Sequence, residues 1–235
     1  MKFFDTARAY SDSEEKIGLA FENYPRDSYY IATKTMAKTP EDFWKHLENS
    51  LKLLKTDHVD IYQFHCADRV YIPGDGTGMY ECMLEAKKQG KIRHIGITAH
   101  KLQIAFDAVS SGLYETIQFP FSYLSSDKEI ELVHKSKEMD MGFIAMKGLA
   151  GGLINQSEPS MAFMSQFDNV LPIWGIQKEN ELDEWLAFMD ETPEMNDEMR
   201  EFIEKETTEL AGDFCRGCGY CMPCPAGIMI NQCAR

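Results

Sequence analysis

Seven short runs of β-branched and aromatic residues recur along this 235-residue chain, at residues 3–5, 29–34, 59–65, 92–98, 116–121, 142–147 and 170–175. Their starts lie 24 to 33 residues apart, the length of one strand-plus-helix unit. Stretches with helical periodicity fill the gaps, at residues 14–23, 40–54, 80–89, 102–110, 128–139 and 182–189. Thr39-Pro40 followed by Asp42 marks one helix start, because proline suits the first turn. Strict strand–helix alternation implies a parallel sheet, either doubly wound or closed into a barrel. No Gly-x-Gly-x-x-Gly opens any of these helices, which weighs against a Rossmann arrangement. A closed eight-stranded barrel takes about 250 residues. With seven runs, and the first starting at residue 3, two readings stand: one strand escapes the pattern, or the chain lacks a first βα unit.

Composition narrows the function classes. Hydrophobic residues make up 44% and charged residues 26%, as in ordinary soluble globular chains, which excludes wholesale disorder and collagen-like structure. A net charge of −14 repels phosphate backbones, so no nucleic-acid partner is expected. The first ten residues show no basic stretch leading into an apolar run, and no apolar run approaches the roughly 20 residues that span a bilayer. The expected location is cytoplasmic, with no membrane partner.

Polar residues collect at one end of the runs, the end where a βα barrel builds its active site. They are Asp5 and Tyr10 after the first run, Lys34 at the end of the second and His65 at the end of the third. Thr98 closes the fourth, Gln118 and Ser122 belong to the fifth, and Lys147 with Gly148, Gly151 and Gly152 follows the sixth. A phenol has a reference pKa near 10. A buried ammonium beside it is expected to lower that value, with an aspartate keeping the lysine charged. A histidine opposite can hydrogen-bond a carbonyl oxygen, and together these groups perform general acid catalysis at a carbonyl.

The residues Phe4-Asp5-Thr6-Ala7-Arg8-Ala9-Tyr10, then Ser13-Glu14 and Gly18, resemble the signature of the aldo/keto reductases. Ile31-Ala32-Thr33-Lys34-Thr35 and Tyr62-Gln63-Phe64-His65 continue the resemblance, which covers residues 1 to about 190. It implies a (β/α)8 TIM-type barrel lacking its first βα unit, binding NAD(P)H in extended form. It also implies Tyr10 as acid, Lys34 as its tuner, Asp5 as the lysine's partner and His65 as substrate orienter. The cofactor contacts it implies are Thr98, Gln118, Ser122, Lys147, Gly148, Gly151, Gly152 and Lys178. Two departures stand out: Ala99 cannot make the amide contact of the family's usual asparagine, and Glu181 stands where a phosphate-binding arginine would be expected.

Five of the seven cysteines fall in the last 21 residues, whereas Cys66 and Cys82 sit alone and read as core thiols. The run Cys215-x2-Cys218-x2-Cys221-x2-Cys224-Pro225 resembles a bacterial ferredoxin run with its third gap shortened by one residue. Structural zinc is the competing reading of such pairs, and a disulfide cluster is the third. The arrangement resembles an aldo/keto reductase branch with a C-terminal ferredoxin-like module. The division expected is a barrel over residues 1–212 and a partial [4Fe-4S]-binding segment over 213–235. The metal ligands this resemblance implies are Cys215, Cys218, Cys221 and Cys224: the first three would hold one cluster, whose fourth ligand is Cys224, Cys233 or a residue beyond Arg235, and Cys224 otherwise serves a second cluster or stands idle.

The function expected is hydride transfer between NAD(P)H and a small-molecule carbonyl/alcohol pair, coupled to an iron–sulfur module serving an electron-transfer partner protein. Two rivals remain: an electron-transfer or redox-sensing protein with a silent barrel, and a non-enzymatic scaffold. The missing first unit and the absence of a second cysteine run lead to the expectation that this stretch is the interior of a longer protein.

Overall fold

The computed structural model describes residues 2–210 and 223–230. It divides into two compact units, one of residues 2–99 with 103–117, the other of residues 100–102 with those from 118 onward.

In the first unit, β1 (Phe3–Asp5), β2 (Tyr30–Thr35), β3 (Val59–Phe64) and β4 (Ile92–Thr98) alternate with α1 (Ser13–Ala20), α2 (Pro40–Leu53) and α3 (Met79–Lys88). Helix α4 (Leu102–Ser111) then leads to β5 (Thr116–Pro120), where the units meet in sequence. Neighbouring strands pair in parallel, with Asp5 opposite Ala32, Lys34 opposite Gln63 and Phe64 opposite Ile97. The four residues after Tyr30 in β2, and Thr35 behind them, are all buried, the pattern of a strand covered on both faces. Helix α2 starts where Thr39-Pro40 indicated: the Thr39 hydroxyl accepts the Asp42 N–H at 3.2 Å. Its buried residues Phe43, Leu47, Ser50 and Leu51 recur at helical spacing. Gly18 lets α1 approach the end of α2, since a Cβ there would stand 2.1 Å from the Leu53 carbonyl oxygen.

In the second unit, α5 (Asp127–Glu138), β6 (Gly142–Met146), α6 (Ser157–Met164), β7 (Val170–Pro172), α7 (Glu179–Asp190) and α8 (Asp197–Glu209) follow. Strands β6 and β7 pair in parallel, and the Phe121 N–H donates to the Met146 carbonyl at 3.0 Å. The strand order follows the chain, β1 to β7. Phe121 anchors this core, its ring meeting those of Phe143, Phe163 and Phe167 at 5.3–5.6 Å.

All seven strands stand where the apolar runs indicated, most of them trimmed by a residue or more at the ends. Helices α6 and α8 go beyond the periodicity. Five of the eight residues of α6 are buried, leaving no polar face to mark it, and eight of the thirteen residues of α8 are charged. Cys82 is buried as expected, but Cys66 is exposed: it lies past the end of β3 with left-handed backbone (φ 49°). Cys215, Cys218, Cys221 and Cys233 lie outside the described residues.

Candidate active site

Past Asp5 the chain continues along β2: the Thr6 N–H donates to Ala32 O at 2.8 Å and the Arg8 N–H to Lys34 O at 3.1 Å. A tight turn follows, closed by the Tyr10 N–H on Ala7 O at 2.9 Å, with Ser11 at φ 38°. This brings the Tyr10 ring beside Lys34, whose Nζ lies 5.2 Å from the ring centre. Lys34 is only 1% exposed and donates to Asp5 Oδ2 at 2.6 Å and to the Thr6 carbonyl at 2.7 Å. An ammonium buried this deeply requires a counter-charge and hydrogen bonds, and both are present. His65 follows β3, its N–H bonded to Thr35 O at 2.8 Å, and its ring meets Tyr10 edge-on at 5.6 Å. The first unit therefore brings Asp5, Tyr10, Lys34 and His65 together.

Their electrostatics correct one expectation. The Tyr10 phenol is pushed up to about 12, first by desolvation and then by the negative charge of Asp5 and by Cys66. The Lys34 ammonium lies over the ring face and donates to Asp5 and Thr6. Burial pulls the Lys34 pKa down, and Asp5 works against that shift. Tyr10 is thus a protonated phenol at neutral pH, with 44% of the residue still open to solvent. Two neighbours escaped the sequence reading as site residues. Glu14 is 2% exposed and accepts the Thr33 hydroxyl at 2.6 Å, and both it and Cys66 act electrostatically on Lys34. The signal for Glu14 was its spacing of four from Gly18, which places both on the buried side of α1.

The expected dinucleotide contacts divide between the units. In the first, Thr98 is buried and its hydroxyl accepts the Cys66 N–H at 2.7 Å. In the second, buried Gln118 directs its amide nitrogen to Met146 Sδ at 3.8 Å, and Ser122 accepts the Leu124 N–H at 3.2 Å. The loop after β6 holds Lys147, Ala150, Gly151 and Gly152 at φ 58°, 47°, 72° and 95°. Left-handed backbone at lysine and alanine costs energy that surrounding packing must supply. Gly148 serves packing as well: a Cβ there would stand 2.3 Å from the Trp174 ring, which stacks on Trp185 at 3.9 Å. Lys178 is exposed. The Glu181 carboxylate accepts the Gln177 and Lys178 N–H groups at 2.8 and 3.3 Å, so it caps α7. Two buried nitrogens of this unit, His100 Nδ1 and Trp174 Nε1, have no hydrogen-bond partner among the described residues. Burial and the Lys147 charge hold His100 down to about 4, so its ring is neutral. Unpaired buried nitrogens and a loop of left-handed residues fit a polar ligand such as a dinucleotide.

Residues 1–211 match the sequence model of the aldo/keto reductase family. The chain belongs to the aldo/keto reductases. It is 33% identical over 165 residues to the aldo-keto reductase YhdN of Bacillus subtilis, covering 64% of this chain and 48% of that protein. It is 36% identical over 138 residues to the methylglyoxal reductase DkgB of Salmonella typhi, covering 54% and 50%. The chain thus spans about half the length of the curated relatives it matches. Among solved structures, the holo form of aldo-keto reductase AKR11C1 from Bacillus halodurans superposes with a TM-score of 0.73 at 21% identity, over 88% of this chain and 82% of that one. An aldo-keto reductase from Klebsiella pneumoniae in complex with NADPH gives 0.71 at 22% identity, over 87% and 79%. The aldo/keto reductase fold is shared with both.

The cysteine run lies past the aldo/keto reductase match, apart from the preceding residues through 211. Of its cysteines only Cys224 is described: it is partly exposed, and its carbonyl accepts the Gly227 N–H at 2.9 Å. Among the described residues no group of three or more His, Cys, Asp or Glu side chains converges to hold a metal, and no helix is long and apolar enough to cross a membrane.

Proposed function

We propose that this aldo/keto reductase chain transfers hydride between NAD(P)H and a small-molecule carbonyl/alcohol pair. The observation that carries the reading is the Lys34 ammonium, sealed from solvent between Asp5 and Thr6 and facing the Tyr10 ring. A reduced nicotinamide, when bound, supplies the hydride. Tyr10 holds the proton that the reduced oxygen requires, on its phenol oxygen. Lys34, fixed by Asp5, supplies the positive charge beside the phenolate that is left. His65, edge-on to Tyr10, orients the carbonyl oxygen. Thr98, Gln118, Ser122, Lys178 and the loop of Lys147, Gly148, Gly151 and Gly152 hold the dinucleotide. Because burial pushes the phenol up to about 12, carbonyl reduction keeps its proton donor as pH rises through the neutral and mildly alkaline range.

The cysteine spacing supports a second part of the reading. Cys215, Cys218, Cys221 and Cys224 bind a [4Fe-4S] cluster that exchanges electrons with a partner protein.

Tyr10→Phe tests the first part. It removes the proton and not the dinucleotide contacts, so aldehyde-dependent NAD(P)H oxidation should fall about 10²–10⁴-fold, with dinucleotide affinity unchanged. Near-normal turnover in the variant would overturn the assignment. Dinucleotide binding by the unsubstituted protein without turnover of any aldehyde would favour the electron-transfer reading instead.

A further inference from the structure

Helix α8 is charged along most of its length, yet one stripe is withdrawn from solvent: Phe202, Glu206 and Leu210 at intervals of four, with Ile203 beside them. The three apolar members of that stripe pack on a small core of Tyr123, Leu124, Ala150 and Ile154. Those four residues belong to two loops. Tyr123 and Leu124 directly follow Ser122 after β5, and Ala150 and Ile154 belong to the loop after β6 that begins at Lys147. The polar member of the stripe completes the contact. The Tyr123 hydroxyl, on a side chain of a residue only 5% exposed, donates a hydrogen bond to the Glu206 carboxylate. Burial holds the phenol in its protonated form, and the carboxylate pushes the same way.

These contacts explain how the β6 loop keeps its backbone. Lys147 and Ala150 adopt left-handed conformations that L-residues resist, and three internal bonds hold the loop: Ala150 N–H to Lys147 O at 2.7 Å, and Gly152 and Ile154 N–H to Leu149 O at 2.8 and 3.3 Å. Such backbone persists where its surroundings over-determine it. Leu149, Ala150, Leu153 and Ile154 are the loop's apolar side chains, and all four join the cluster with α8. A charge-assisted bond to a buried phenol then fixes the helix register over the loops.

We propose that α8 is a strap that presets both loops for dinucleotide binding, with Tyr123 and Glu206 as positioning residues that latch it. The inference rests on the reading of these loops as the dinucleotide site. Preset loops lose less freedom when ligand arrives, so the latch acts on affinity.

The test uses the full chain with Tyr123→Phe and Glu206→Gln, singly and together. Hydrogen exchange of the 147–154 amides and the dissociation constants of NADPH and ADP-ribose are measured alongside the melting temperature. Expected are faster exchange at 147–154 in each variant and affinities for both ligands about 5- to 10-fold weaker. The double variant should be little worse than either single one, because both remove one bond. The result that overturns the proposal is unchanged exchange at 147–154 with unchanged affinity, even with a lowered melting temperature, since that marks α8 as structural only. If the unsubstituted protein binds neither ligand, the dinucleotide reading fails. The exchange data then still decide whether α8 presets the loops.

Discussion

Asp5→Asn removes the counter-charge of Lys34 while keeping the side chain's size. The ammonium is left at 1% exposure with the Thr6 carbonyl as its main-chain acceptor. Removing one partner of a buried pair costs about 3–5 kcal/mol, because the remaining charge stays desolvated. The Asp5 side chain is itself only 9% exposed, so water cannot readily replace it. For a urea m-value of about 2–3 kcal/mol/M, the unfolding midpoint should fall by about 1–2.5 M. The pH dependence has a definite sign. Burial already holds the Lys34 pKa below its usual value, and Asp5 is the leading influence raising it. In Asp5→Asn the folded-state pKa falls further, so at intermediate pH the unfolded chain binds the extra proton and stability rises with pH. The penalty is therefore full below the depressed pKa of Lys34 and shrinks as pH rises toward the unfolded value of 10.5. Urea melts at several pH values between 6 and 10 supply the assay. Lys34→Met in the Asp5→Asn background removes the stranded charge and should recover most of the loss. A midpoint shift below about 0.3 M, or a penalty constant with pH, would refute the buried-pair reasoning.

Gly18→Ala places a Cβ 2.1 Å from Leu53 O and 2.9 Å from Leu54 C, both backbone atoms that cannot step aside; a loss of about 1–3 kcal/mol by denaturant melt is expected. Gly148→Ala drives a methyl into the Trp174 ring at 2.3 Å, so the Trp174–Trp185 stack should separate, read as a change in tryptophan fluorescence and in near-ultraviolet dichroism. For the cysteine run, anaerobic reconstitution should yield iron with acid-labile sulfide, and Cys218→Ser should cut the iron content substantially whereas Cys82→Ser should not. Zinc without sulfide would assign the run to structural metal binding.

The strand–helix alternation, the seven strands and the residues at the strand ends were all legible in the chain, because period and side-chain chemistry are local properties. Asp5, Tyr10, Lys34 and His65 could be named from their order along the sequence and their resemblance to one family. Folding decided how they act. A phenol beside a buried lysine reads as one of lowered pKa, yet that of Tyr10 is raised, by desolvation first and then by the Asp5 charge. Glu181 reads as a charge facing a phosphate, yet two backbone N–H groups claim it as a helix cap. Gly148 reads as a ligand-approach glycine, and folding adds a second demand on it, because the Trp174 ring occupies the space of its missing Cβ. The α8 stripe and its hold on two distant loops had no counterpart in any local pattern. Residue identity sets which charges and donors a chain carries; burial and partners, which set their strength, exist only once segments far apart in sequence are packed together.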